Sequence, residues 1–395
     1  MGGGVSLRVF LVAGEPSGDR LGAALIRGLK QLHSGPVELH GIGGPLMQAE
    51  GLVSLFPMEE LSVMGLTEIV PRLRSLLARV SQTAEAVIDL KPDALITIDS
   101  PEFSLRVAAR VKARAETLPT IHYVAPTVWA WRPKRAAKMA KSIDHVLALL
   151  PFEPPYMEAA GMSCDFVGHP VTTEPVASEA EAAAFRARHG IADLAPLILV
   201  LPGSRRGEVE RLAPVFGAGL QPVLAAHPAA RLVVPTTEAV AGGLPAKLSD
   251  WPGDPIILDP RGQDGGAFMA EKRAAFAAAD VALAASGTVS LELAATATPM
   301  VIAYDFSWLT RKVIASMLRV DTVTLVNLVS DTRAVPEFLG PDCRADRIAP
   351  ALRRLIENDA ARRDQLDAMA ATMLRLGRGG EDPGLRAARS VLSVI

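Results

Sequence analysis

Short runs of consecutive apolar residues alternate with helix-length segments along most of the chain, the pattern of parallel strands each followed by a crossover helix. In the first half, 8–13, 37–42, 94–98, 120–124 and 145–149 read as strands, and 20–33, 66–90, 103–116 and 133–141 as helices. Ala94-Leu95-Ile96-Thr97-Ile98 is almost continuously hydrophobic, as suits a strand covered on both faces. After Phe166-Val167-Gly168-His169-Pro170, a polar and Ala-rich stretch over 171–183 reads as a linker entering a helix. The alternation then restarts, with strands expected at 197–201, 231–235, 256–259, 280–284 and 300–303. The pattern predicts an α/β chain of two doubly wound parallel-sheet units in tandem, 1–170 and 171–344. Two further helices are expected over 345–395, the first carrying Ile348, Leu352, Leu355 and Ile356 at helical spacing, in a tail that could pack back on the first unit. Units of this kind bind ligands outside the carboxyl ends of their strands, so the strand-end loops and a cleft between the units are the expected seats of function.

Composition narrows the classes. At 395 residues with 49% of the AVILMFWYC set and 21% charged, the chain can bury a large core and is not a disordered polymer. Lys plus Arg is 41 against 43 Asp plus Glu, a net charge of −2, so the whole chain is no polycation seeking nucleic acid. The two cysteines, Cys164 and Cys343, lack any metal-ligand spacing and fit a reducing compartment. No run approaches the ~18 apolar residues a spanning helix needs, and a cytoplasmic location is expected.

Candidate chemistry lies in the loops after the strands. Ala13-Gly14-Glu15-Pro16-Ser17-Gly18-Asp19 is a tight turn into a helix in which Ser17 or Asp19 could cap exposed amides. Asp99, in Asp99-Ser100-Pro101-Glu102-Phe103, stands at the carboxyl end of a very apolar strand, where it is a candidate general base; helix capping is the competing use of that segment. Leu201-Pro202-Gly203-Ser204-Arg205 opens the second unit with glycine, hydroxyl and guanidinium suited to an anion. Ser286-Gly287-Thr288 runs from a strand into a helix, an arrangement that holds diphosphates, and Glu292 one turn later could accept from ribose hydroxyls. There is no Asp-x-Asp or His-x-x-x-His pair, no Walker loop, no G-x-G-x-x-G and no G-x-S-x-G elbow. The reading therefore requires neither a metal nor a cofactor, and arginine and helix dipole would stabilise leaving-group charge.

Charge is locally uneven. Between 104 and 141 stand Arg106, Arg110, Lys112, Arg114, Arg132, Lys134, Arg135, Lys138 and Lys141 against the single acid Glu116. Beside them lie Trp129, Trp131 and an amphipathic run with Leu66, Ile69, Leu73 and Leu76 at helical spacing. Core packing is the ordinary use of such a stripe. Basic charge beside tryptophans and an apolar helix also describes docking on an anionic bilayer, whereas too few aromatics interleave for nucleic acid.

Nine segments in register resemble the lipid-A-disaccharide synthases. They are Ala13–Asp19, Gly41-Ile42-Gly43-Gly44 with Met47, Met64-Gly65-Leu66-Thr67-Glu68, Asp99–Phe103, Pro126-Thr127-Val128-Trp129-Ala130-Trp131, Leu150-Pro151-Phe152-Glu153, Gly168-His169-Pro170, Leu201–Arg205 and Ala285–Thr288. The resemblance implies two Rossmann-like domains of the GT-B type. It implies an inverting transferase that moves 2,3-diacylglucosamine from its UDP carrier to the 6-hydroxyl of 2,3-diacylglucosamine 1-phosphate, with UDP held by the second unit. Asp99 would be the base, and Ser17, Gly203, Ser204, Arg205, Ser286, Gly287, Thr288, Glu292 and Asn327 would line the substrate and UDP sites. Val326 stands where the family commonly has proline before that asparagine, and Ser104 where many relatives carry asparagine. Acylated substrates give the basic and apolar face of Leu66, Ile69, Leu73, Leu76, Trp129, Trp131, Arg132 and Lys134 a ligand, the cytoplasmic leaflet of the inner membrane. A UDP-sugar 2-epimerase, needing no acceptor, and a non-catalytic nucleotide-sugar binding protein, releasing no UDP, are the rival classes. Trp308 and a helix over 309–318 would serve either a homo-oligomer contact or the cleft.

Overall fold

The computed structural model describes residues 5–61, 66–129, 134–305 and 320–395, the side chains of 66–73 excepted. The segments 1–4, 62–65, 130–133 and 306–319, and with them Met64, Gly65, Trp131, Arg132 and Trp308, lie outside the described residues. The chain divides into two compact units, Met1–Thr173 with Leu376–Ile395, and Glu174–Arg375.

The first unit is built on a seven-stranded sheet of β1 (Leu7–Ala13), β2 (Val37–Ile42), β3 (Val53–Ser54), β4 (Ala94–Ile98), β5 (Thr120–Tyr123), β6 (His145–Ala148) and β7 (Ser163–Phe166), in the order β3-β2-β1-β4-β5-β6-β7. The second has β8 (Leu197–Leu201), β9 (Arg231–Pro235), β10 (Ile256–Leu258), β11 (Val281–Ala284), β12 (Met300–Tyr304) and β13 (Glu337–Leu339), in the order β10-β9-β8-β11-β12-β13. Every described pairing is parallel. Both orders are the doubly wound arrangement whose direction of winding reverses beside the first strand, between β1 and β4 and between β8 and β11. All five residues of β4 and all five of β8 are buried, because helices cover both faces and only apolar or β-branched side chains fit there. The fold class is that of two tandem Rossmann-like units.

The tail departs from expectation. It forms three helices, not two, and it is shared between the units. Ala345–Glu357 and Asp359–Arg375 belong to the second unit, and Pro383–Val394 to the first. Gln365 ties the middle helix to β12 by accepting from Met300 N at 2.8 Å and donating to Met300 O at 3.0 Å. The last helix lies against Pro16–Leu32, where a Cβ on Gly28 would stand 2.6 Å from Gly384 O and 2.8 Å from Ala388 Cβ. Ser390 Oγ bonds His145 Nε2 at 2.7 Å and Asp165 at 2.6 Å, anchoring the same helix to β6 and β7.

Backbone-to-backbone approach of this kind tolerates no side chain. Gly28→Val should lower stability by roughly 1–3 kcal/mol and expose the last helix to proteolysis, read from denaturant midpoints and limited digestion. A midpoint equal to that of the parent would contradict this crossing.

Candidate functional site

In the second unit the reversal between β8 and β11 opens a pocket of about 620 Å³, within the range of small-molecule sites. The loop after β8 contributes Gly203, Ser204 and Arg205, and the loop after β11 contributes Ala285, Ser286, Gly287 and Thr288. Glu292, from the short helix Val289–Ala295, closes one side, and Thr236 and Thr237 after β9 another. Phe268, Met269, Lys272 and Phe276 of the helix Gly265–Ala278 form a largely apolar wall. The structure thus brings Gly203, Ser204, Arg205, Ser286, Gly287, Thr288 and Glu292 together.

The pocket's two cations are each paired with a carboxylate. Lys272 Nζ lies 2.8 Å from Glu292 Oε2 and 5.1 Å from the Phe276 ring centre. Arg205 Nη1 lies 3.3 Å from Glu208 Oε1 while 74% of its side chain is exposed. Glu208 also accepts from Ser204 N at 3.2 Å and Arg205 N at 3.3 Å, so those two loop amides already have an acceptor.

In the first unit the corresponding reversal, between β1 and β4, places Gly14 against Ser100, where a Cβ on Gly14 would meet Ser100 Oγ at 2.7 Å. Asp99 and Ser100 both adopt left-handed backbone, with φ of 51° and 44°, a conformation costing about 1–3 kcal/mol per residue that persists where surrounding contacts impose it. Those contacts are Asp99 N to Tyr123 O at 3.0 Å and Ser104 Oγ to Asp99 O at 2.8 Å. The Asp99 side chain is half-buried at the sheet's carboxyl edge. Ser100 precedes the helix Pro101–Lys112 without any side-chain capping bond, so the capping use of this segment is not realised through Ser100.

Residues 9–380 match the family described as Lipid-A-disaccharide synthetase. The chain is 61% identical over 386 residues to the lipid-A-disaccharide synthase of Ruegeria pomeroyi, covering 98% of this chain and 95% of that one. It is 49% identical over 389 residues to that of Rhodospirillum centenum, covering 98% and 95%. The chain belongs to the lipid-A-disaccharide synthetase family. Among solved structures it is similar to a UDP-GlcNAc 2-epimerase from Neisseria meningitidis bound to UDP-GlcNAc, with a TM-score of 0.62, 12% identity and coverage of 98% and 99%. It is also similar to the glycotransferase of kitacinnamycin, with a TM-score of 0.56, 16% identity and full coverage of both chains. At such identities the likeness is one of fold alone. Family membership makes the chain an enzyme, a glycosyltransferase of lipid A biosynthesis.

The other described residues singled out from the sequence do not line this pocket. Asn327 does not line the pocket. It is buried, and its amide donates to Val335 O at 2.9 Å and accepts from Val335 N at 3.0 Å, the pairing of a missing strand neighbour. Ser17 stands exposed in the first turn of Pro16–Leu32, which starts four residues earlier than expected. Asp19 caps not its own helix but the helix Pro45–Ala49, accepting from Gly44 N, Leu46 N and Met47 N at 2.9–3.0 Å. Trp129 is not a surface residue: it is buried, edge-on to Phe152 at 5.2 Å. Leu76 is half-buried against the first unit's core, and Lys134 is exposed. The side chains of Leu66, Ile69 and Leu73, and all of Trp131 and Arg132, lie outside the described residues. Lys112 of the basic stretch is engaged by Asp144 at 2.7 Å.

Lys272, Glu208 and Glu153 carry no assignment from motif reading. Lys272 sits in an Ala-rich helix with no local signature, and Glu208 stands three residues after Arg205, an N-cap residue whose side chain has no acceptor and so gives no capping-box pattern. Glu153, buried at the carboxyl end of β6, accepts from Leu150 N at 3.0 Å. Burial pushes its carboxyl up to about 7, against the opposing pull of the Leu150 amide and the Trp129 indole. That indole approaches the carboxylate without reaching good hydrogen-bond geometry, and Trp129 Nε1 is the single buried side-chain nitrogen or oxygen among the described residues without a bond.

Folding raises the Glu153 pKa, so the folded state binds a proton that the unfolded chain has already released. Its contribution to stability is full below the ordinary carboxylate pKa and is lost as pH rises to about 7. Relative to the parent, Glu153→Gln should gain roughly 1–3 kcal/mol between pH 4.5 and 8, measured by denaturant unfolding at each pH. A difference independent of pH would show that Glu153 ionises as freely folded as unfolded.

Proposed function

We propose that the second-unit pocket holds the UDP portion of UDP-2,3-diacylglucosamine and that Asp99 is the base acting on 2,3-diacylglucosamine 1-phosphate. Asp99 takes the proton of the acceptor 6-hydroxyl as that oxygen bonds the donor's anomeric carbon. The bond from that carbon to the diphosphate breaks, with inversion, giving the β-1,6-linked disaccharide 1-phosphate and UDP. Charge growing on the leaving diphosphate is met by Arg205, Lys272 and the Ser286–Thr288 loop. Glu292 is placed to accept from ribose hydroxyls, and the apolar wall of Phe268, Met269 and Phe276 to flank the base.

The observation that carries this reading is that each unit bears a feature at its own switch point: a cation-bearing pocket in the second, and in the first a half-buried aspartate held on left-handed backbone. The deciding measurement is UDP formation from the diacylated donor with and without the acylated glucosamine phosphate. Asp99→Asn should keep UDP affinity within about threefold and lose turnover by about 10²-fold or more. Turnover surviving within a few-fold would assign the base elsewhere.

We further propose that the protein works in the cytoplasm, on the inner-leaflet surface of the inner membrane. Arg106, Arg110, Arg114, Lys134, Lys138 and Lys141 are all exposed on the first unit, and both proposed substrates carry acyl chains. No described helix is long and apolar enough to cross a membrane, so the contact would be peripheral. Flotation with anionic vesicles should show binding that falls as salt rises from 0.05 to about 0.5 M. Binding indifferent to salt and to lipid charge would refute it.

A further inference from the structure

Four donors converge on Glu208. Its Oε2 accepts from the amides of Ser204 and Arg205, and its Oε1 from Arg205 Nη1 at 3.3 Å and Tyr304 Oη at 3.2 Å. Only 12% of its side chain is exposed. Gly203, at φ 118°, leaves it room, since a Cβ there would stand 2.6 Å from Glu208 Cβ. Helix capping accounts for the Arg205 amide alone, since an arginine side chain cannot accept the reciprocal bond of a capping box; nothing in capping requires the guanidinium and phenol contacts.

The second pair has a geometric consequence. Tyr304 ends β12 and Arg205 follows β8, and in the sheet these strands flank β11 on its two sides. Glu208 therefore braces both neighbours of the strand that delivers Ser286, Gly287 and Thr288. Burial, followed by the Glu208 charge, raises the Tyr304 phenol above its ordinary range, so it stays protonated and donates. A carboxylate beside a diphosphate site repels the ligand unless its charge is offset locally; the Arg205 guanidinium supplies the opposing charge, and the two amides and the phenol solvate the carboxylate.

We propose that Glu208 is a positioning residue for diphosphate recognition: it keeps the Ser204 and Arg205 amides for itself and holds the exposed Arg205 guanidinium over the pocket. This rests on the nucleotide reading above and adds which donors meet the phosphates. The ligand is gripped through the Arg205 side chain, and not through the amides of the loop that bears it. An arginine already tethered at one nitrogen loses less rotamer freedom when the ligand arrives.

The test is UDP titration calorimetry on the full chain with Arg205→Ala, Glu208→Ala, Glu208→Gln and the Arg205→Ala/Glu208→Ala double variant, alongside uridine affinity by ligand-observed NMR. Arg205→Ala should weaken UDP about tenfold or more and Glu208→Ala about fivefold, and the double variant should match Arg205→Ala within about twofold. Glu208→Gln keeps an acceptor for the loop amides but turns a donor NH2 toward the guanidinium, so it should lose the tether and weaken UDP about as much as Glu208→Ala. Uridine affinity should not move, because no phosphate is involved. The proposal is overturned if Glu208→Ala binds UDP like the parent, if the two losses multiply, or if uridine weakens in step with UDP. Should Glu208→Ala fail to fold, the same cycle with Glu208→Asp, whose shorter arm cannot reach both amides and guanidinium, decides it by the same criteria. A parent protein giving no heat with UDP would overturn the nucleotide reading itself, whereas parent binding with an additive cycle would overturn this inference alone.

Discussion

A parallel strand leaves backbone amides over at each end, and in this chain carboxylates take them up. Asp93, Asp144 and Asp280 each stand one residue before a strand (β4, β6 and β11) and accept from the amides of Arg8, Thr120 and Leu197 at 2.7, 2.9 and 2.8 Å. Elsewhere Asp19 serves three amides at the start of the helix Pro45–Ala49, Glu208 two after β8, and Glu337 those of Val323 and Thr324. A buried amide without an acceptor costs about 1–3 kcal/mol. Where the amide is buried, as at Gly44 and Met47, the segment cannot drift without meeting that cost.

Asp99 breaks the pattern. It sits at the end of β4, where a carboxylate would ordinarily cap a neighbouring amide, yet among the described residues no such bond from its side chain is formed; what holds the segment is its main chain, through Tyr123 and Ser104. Two successive left-handed residues are sustained there by packing against Gly14. Stability would favour relaxing that turn. Its retention by the surrounding contacts is the kind of local disagreement between fold and comfort that accompanies a working group.

The sheets were legible because their strands are buried on both faces: 94–98 and 197–201 announce themselves as apolar runs without needing a partner to be known. Of the edge strands, β10 was legible, whereas β3, β7 and β13 were not. Ser163-Cys164-Asp165-Phe166 and Glu337-Phe338-Leu339 are short and partly exposed, so their hydrophobic signal is diluted by polar outward positions. The last helix escaped for a different reason: its docking depends on Gly28 meeting Gly384 across more than three hundred residues, and small residues leave no periodic mark. Loop motifs located the pocket residues after β8 and β11, since glycine and hydroxyl residues at a strand end are a local signal. Trp129 shows the limit of that method. A tryptophan beside basic residues looks interfacial until Phe152 and Glu153, from the next strand's end, are seen to enclose it.

Each pocket cation has a resident acid, Arg205 with Glu208 and Lys272 with Glu292, and this bears on how such a site would handle a nucleotide sugar. At Lys272 an entering diphosphate would compete with Glu292, so binding there would exchange partners with a modest net electrostatic gain. As the bond to the anomeric carbon breaks, negative charge would accumulate on the leaving oxygens and tip that competition toward the diphosphate. Lys272 would thus hold the transition state more strongly than the ground state, which is the difference that accelerates a reaction. Arg205, held by Glu208 at one nitrogen, would keep the rest of its fork for the ligand from the start.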